Sequence, residues 1–77
     1  MRTKRYKVDI VLREVVSGRS RRIHSWPVLD TASEAAARHI TAQVRDGNWN
    51  AAQELAYAFS TFPEADRRTL QQEGFGP

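Results

Sequence analysis

Two histidines and nine carboxylates are the groups in this 77-residue sequence from which acid–base or metal chemistry would be built; cysteine is absent. Catalysis needs such groups to converge as a nucleophile with its base, a paired acid and base, or a metal set. His24 falls in a segment that reads as a strand and His39 in one that reads as a helix. No carboxylate stands at a helical ligand spacing from His39, and the adjacent Arg38 would repel a cation. His39 therefore reads as a helix-surface or interface residue and His24 as a strand residue beside a basic stretch. Glu34, Asp46, Glu54, Glu64 and Asp66 have no partner spacing beyond capping and helix N-terminal placement, which the helix dipole favours. Gly18 is isolated, and a G-x-G spacing occurs only at Gly74–Gly76, so no phosphate-cradling loop is present. Without cysteine there are no disulfides, thiolate ligands or cysteine nucleophile. These residues predict a protein that is not an enzyme and that uses no cofactor or metal.

The side chains that remain suit binding. The stretch S17-G18-R19-S20-R21-R22 puts three arginines within four positions. Residues 1–24 carry eight Lys/Arg against Asp9 and Glu14, a net of +6, whereas residues 25–77 carry four Arg against seven acids, a net of −3. Charge separated in this way marks one face for an acidic partner. Arginine prefers planar bidentate acceptors, phosphate or carboxylate. The candidate contact residues are Arg5, Lys7, Arg13, Arg19, Arg21 and Arg22; Trp49, at the helix–helix turn, reads either as a staple packing over the second helix or as a further anchor, because tryptophan is enriched at interface hot spots. Tyr6 and Trp26 read as core, which leaves little aromatic surface for stacking single-stranded bases.

The elements that must position these groups are legible in the periodicity. K4-R5-Y6-K7-V8-D9-I10-V11-L12-R13 alternates, with Tyr6, Val8, Ile10 and Leu12 on one side and Arg5, Lys7, Asp9 and Arg13 on the other, which is a half-buried strand. Gly18 supplies the positive φ of a turn. The second strand, about 21–29, pairs back on the first, about 4–16. A three-residue loop sets Ile10 opposite Trp26; a two-residue turn at Gly18-Arg19 sets Val11 there instead. Pro27 cannot donate to a ladder and implies an edge or a bulge. A helix follows over about 31–46, capped by Asp30 or by a Thr31-x-x-Glu34 box, with Ala32, Ala36, Ile40 and Val44 as its buried stripe. Gly47 ends it in a left-handed conformation. Asn48 or Asn50 caps a second helix, about 50–62, buried through Ala51, Leu55, Ala58, Phe59 and Phe62. Pro63 opens a short third helix over 63–73, and Gly74–Pro77 should fray.

Two families share parts of this layout. Ile23–Phe62 reads strand–helix–turn–helix and resembles a ribbon-helix-helix repressor, but Trp26 and Pro27 fit poorly in the groove-reading strand and the preceding strand has no counterpart. Residues 4–49, from K-R-Y-K-V-D-I-V-L-R-E-V-V-S-G through V28-L29-D30-T31-A32-S33-E34-A35-A36-A37, resemble the small strand–strand–helix proteins of phages and plasmids, and are similar in size and layout to some anti-CRISPR proteins. That resemblance implies a stand-alone protein that acts by covering a partner's surface; it carries over no site residues.

The sequence thus predicts one α+β domain, an antiparallel β-hairpin packed on two helices in ββαα order with a short third helix. A chain this short buries only about 60% of its unfolded surface, so a homodimer extending the sheet through an edge strand is an expectation. No apolar run reaches the length of a membrane span, and Asp9 interrupts the short apolar run behind the basic opening residues, which argues against a signal peptide; the expected location is cytoplasmic. The function expected is that of an inhibitor or adaptor docking on another protein, with a dimeric nucleic-acid binder using the basic hairpin as the alternative.

Overall fold

A computed structural model of the chain describes residues 4–47 and 50–76. Strands β1 (Tyr6–Val16) and β2 (Arg19–Thr31) form a two-stranded antiparallel sheet, followed by helices α1 (Glu34–Arg45) and α2 (Ala51–Ala58), a 3₁₀ turn (Phe59–Thr61) and α3 (Glu64–Gln72). This is the α+β layout, ββαα with a third short helix, that the periodicity implies.

The hairpin closes through a two-residue turn, Ser17-Gly18, with φ of +51° and +78°. Positive φ at both central residues gives the turn a twist that matches the twist of the strands. The turn thus lies one residue earlier than Gly18-Arg19, yet Ile10 still faces Trp26, as it would with a longer loop. Two bulges on β2 reconcile the two: Val28 lies between the pairs Val8–Leu29 and Asp9–Pro27, and Ile23 between Leu12–His24 and Arg13–Arg22. Pro27 sits beside the first bulge, where a missing N–H is tolerated.

The core forms where helices meet the root of the hairpin. Val8 and Leu29 pack with Ala36, Ala37, Ile40, Leu55, Ala58, Phe62 and Leu70, and Tyr6, Val44, Ala51, Phe59 and Phe75 flank them. Small alanines at 36, 37 and 58 let α1 approach both the strands and α2. Beyond Ile10 the cover stops. Trp26, Leu12, Val15, Val16 and Ile23 are exposed, so Trp26 is not a core residue. The cause is a mismatch of lengths. Eleven residues of strand reach about 37 Å, whereas the twelve residues of α1 rise only about 18 Å.

The helix boundaries differ from the sequence expectation in an instructive way. Asp30 and Thr31 do not cap α1; β2 continues through Thr31, and Ser33 is the N-cap, its Oγ accepting from Ala36 N–H at 3.1 Å. Gly47 (φ +90°) ends α1, and Asn50 caps α2 by accepting from Gln53 N–H. The segment after α3 is tied down through Gly74 and Phe75: Phe75 N–H donates to Leu70 C=O at 2.8 Å, Gly74 N–H to Gln71 C=O, and the Phe75 ring packs on the core. A left-handed Gly74 makes this closure possible.

Candidate functional site

The distal hairpin, from Asp9 through the turn to Pro27, projects from the helices as a two-stranded ribbon. β1 is unbulged, so its even-numbered residues share one face and its odd-numbered residues the other. Val8 on the even face is buried against the helices, which makes that face the inner one. Farther out the inner face carries the cross-strand pairs Ile10–Trp26, Leu12–His24, Glu14–Arg21 and Val16–Arg19. The outer face carries Val11–Ser25, Arg13–Arg22 and Val15–Ser20. His24 and Trp26 lie edge-to-face with ring centroids 4.4 Å apart. At the root, Ile10, Trp26, Pro27, Val28 and Ala51 line an apolar recess of about 480 Å³.

The charges of the ribbon are unequally used. Glu14 and Arg21 approach to 3.6 Å as an exposed pair. Arg13 and Arg22 stand directly opposite one another, an arrangement in which like charges destabilise a ladder. Among the described residues, Lys7, Arg13, Arg19 and Arg22 form no ion pair. The acids of residues 25–77 are all engaged. Asp30 pairs with Arg5, Glu34 with Arg38, Asp46 with Arg45 and Glu64 with Arg68; Glu54 lies 3.6 Å from His39; Asp66 and Glu73 accept partly buried hydrogen bonds. Asp30, Glu34, Asp46 and Glu64 remain exposed within their ion pairs, so the helical half keeps acidic surface, while several cations without an ion pair lie along the hairpin.

Arg5 has a different place from the other candidate residues. It lies at the root of the hairpin, where its Nε donates to Asp30 at 2.9 Å and its Nη2 reaches Glu73 at 3.4 Å. The hydrogen bond to Asp30 holds the guanidinium charged beyond its usual range. Lys7, Arg13, Arg19, Arg21 and Arg22 lie along the hairpin and its tip. Trp49 is outside the described residues.

Sequence reasoning missed a second polar centre, the junction between β2 and α1. Glu73, at the C-terminus of α3, receives the Thr31 hydroxyl at 2.6 Å and the Ala32 N–H at 2.7 Å. Ser33 N–H donates to Thr31 Oγ1 at 3.0 Å, and Ser33 Oγ donates to Asp66 at 2.9 Å. Thr31 and Ser33 are fully buried. A Ser–Asp contact invites a nucleophile reading, but this hydroxyl is fully buried, and its oxygen also accepts the Ala36 N–H as the helix cap. The network is structural. Its one local signal is the cluster of cap-forming residues Asp30, Thr31 and Ser33.

His39 lies between α1 and α2, edge-on to Phe62 with centroids 5.9 Å apart and with Nε2 beyond hydrogen-bond reach of Glu54. Among the described residues no cluster of three or more His, Asp or Glu side chains could hold a metal ion, and no helix is long and apolar enough to cross a membrane. No family model matches the chain, and no curated protein or solved structure matches it.

Proposed function

We propose that this protein is a non-enzymatic binding protein, an inhibitor or adaptor that covers an acidic surface of a partner protein with its projecting hairpin. One observation carries the reading: each acid of residues 25–77 has a cation or a hydrogen-bonding group beside it, while among the described residues Lys7, Arg13, Arg19 and Arg22 on the hairpin form no ion pair. Exposed Val11, Val15 and Ile23 stand among these cations. Apolar groups between arginines suit a protein surface, where both can be desolvated, better than a phosphate backbone. The resemblance to small phage inhibitors makes a nucleic-acid-handling host assembly the partner class of this proposal.

A second reading rests on the Arg13–Arg22 pair. A two-stranded ribbon fits the major groove, and paired guanidiniums suit phosphates or guanine edges. The two readings separate in one experiment. A photo-crosslinking residue at Val15 is used in host lysate, and anisotropy of labelled duplex and single-stranded nucleic acid is followed at low and near-physiological salt. The proposal expects a protein adduct that disappears when Arg13, Arg19 and Arg22 are changed to Glu, with no nucleic-acid binding surviving near physiological salt. Binding that survives there, with a log–log salt slope of about −4 for four or five phosphate contacts, replaces it with the second reading.

A further inference from the structure

The two edges of the sheet are built differently. β2 carries Pro27 and two bulges, devices that keep an edge from accepting another strand. β1 has neither over its eleven residues and, among the described residues, has only β2 beside it in the sheet. A long, regular edge left open on one side alone is a template for strand addition. A groove of about 680 Å³ lies between β1 and α1, lined by Tyr6, Val8, Ala37, Thr41 and Arg45. No β2 residue lines it, so it opens on the β1 side and leaves room for a further strand.

We infer that β1 pairs antiparallel with β1 of a second copy of this chain, about a two-fold axis through Val11, to give a four-stranded sheet in the order β2–β1–β1–β2. This inference does not rest on the proposed partner, which uses the outer face and the tip, although it shares Arg13 with that surface. Val11 is the midpoint of β1, so this register pairs the whole strand, Tyr6 with Val16 of the second copy at each end. The same register sets Asp9 opposite Arg13 of the second copy, twice by symmetry, and Ile10 opposite its Leu12. Asp9 faces Pro27 within its own chain and, among the described residues, makes no ion pair; Arg13 faces only Arg22. Both gain opposite charges across the new pair. Shifting the axis to Ile10 would set Lys7 against Arg13, and shifting it to Leu12 would set Asp9 against Val15 and Ile10 against Glu14.

The pairing also accounts for the uncovered half of the hairpin. Rotation about an axis normal to the sheet keeps both inner faces on one side. The second copy's helices, seated over its Tyr6 and Val8, then stand beside Val16 and Glu14 of the first. The exposed inner-face residues Leu12 and Val16 come to lie under a helical layer that their own chain is too short to provide.

Sedimentation equilibrium and oxidative cross-linking test this on the full chain, which has no native cysteine. The expected result is a two-chain mass and a disulfide formed by Val11→Cys, at the axis, but not by Val15→Cys. Asp9→Arg alone and Arg13→Asp alone each weaken self-association by about tenfold or more, since two attractive pairs become repulsive. Mixing the two variants restores a dimer, because each then supplies the charge the other needs, and this rescue shows that neither variant failed to fold. A chain that sediments as a single copy up to millimolar concentration overturns the inference. So does a dimer that neither charge reversal touches, or one that cross-links equally through Val15→Cys.

Discussion

Thr31 donates a 2.6 Å hydrogen bond to Glu73 across 42 positions of sequence, and this contact closes the chain on itself. It joins the last turn of the last helix to the point where strand becomes helix. Glu73 holds the adjacent Ala32 N–H with its other oxygen, so one carboxylate fixes two consecutive residues of the junction. The hairpin's angle to the helices is therefore set by a side chain at the far end of the sequence.

Removing that carboxylate strands a buried hydroxyl and a backbone donor. Glu73→Ala is expected to cost about 1–3 kcal/mol, which lowers Tm by about 4–8 °C for each kcal/mol in a domain of this size. Glu73→Gln keeps an acceptor and loses less. Thermal and urea melts followed by circular dichroism measure both. An alanine variant that melts with the parent would show that the contact does not hold the junction.

Ser33 and Glu34 separate the cap that forms from the cap that the sequence suggests. Ser33→Ala removes the bond to Ala36 N–H and leaves Asp66 without its donor, and should cost about 1–2 kcal/mol. Among the described residues the Glu34 side chain bonds only to Arg38, in an exposed pair, so Glu34→Ala should stay within about 0.5 kcal/mol of the parent. Equal losses from the two substitutions in a urea melt would restore a capping box to the account.

Arg22 places stability and binding in opposition. Reversing it to Glu puts an acid opposite Arg13 and removes a like-charge contact, so Arg22→Glu should stabilise the free protein by up to about 1 kcal/mol. The same change should abolish docking on an acidic partner. Melting temperature and Val15 cross-linking are read on the same preparation. Loss of stability together with retained binding would mean that the arginine pair is a structural feature and not a contact.

Alternation over residues 6–12, the alanine-rich stripe through Ala36 and Ile40, and the capping and terminating residues Asn50, Gly47 and Pro63 determined the element order and class by themselves. Each acts over a few neighbouring residues, so the information is local. The arginines of the tip were visible for the same reason: their exposure follows from a turn encoded by Gly18 and its neighbours. What only the tertiary structure decided depends on lengths and on distant partners. Trp26 reads as core by its type, yet it lies where strands outrun the helices, and no local pattern records how far α1 reaches. The register required two bulges, which combine a short turn with the pairing of a longer loop. Arg5 and Lys7 look equivalent on one strand, yet Arg5 alone meets Asp30 and Glu73. Thr31 was legible as a cap candidate and became a buried strand residue because its acceptor, Glu73, arrives from 42 positions away. Charge is additive along a sequence, but whether an acid has a cation beside it is a property of the folded chain, and that distinction leaves the hairpin as the basic surface.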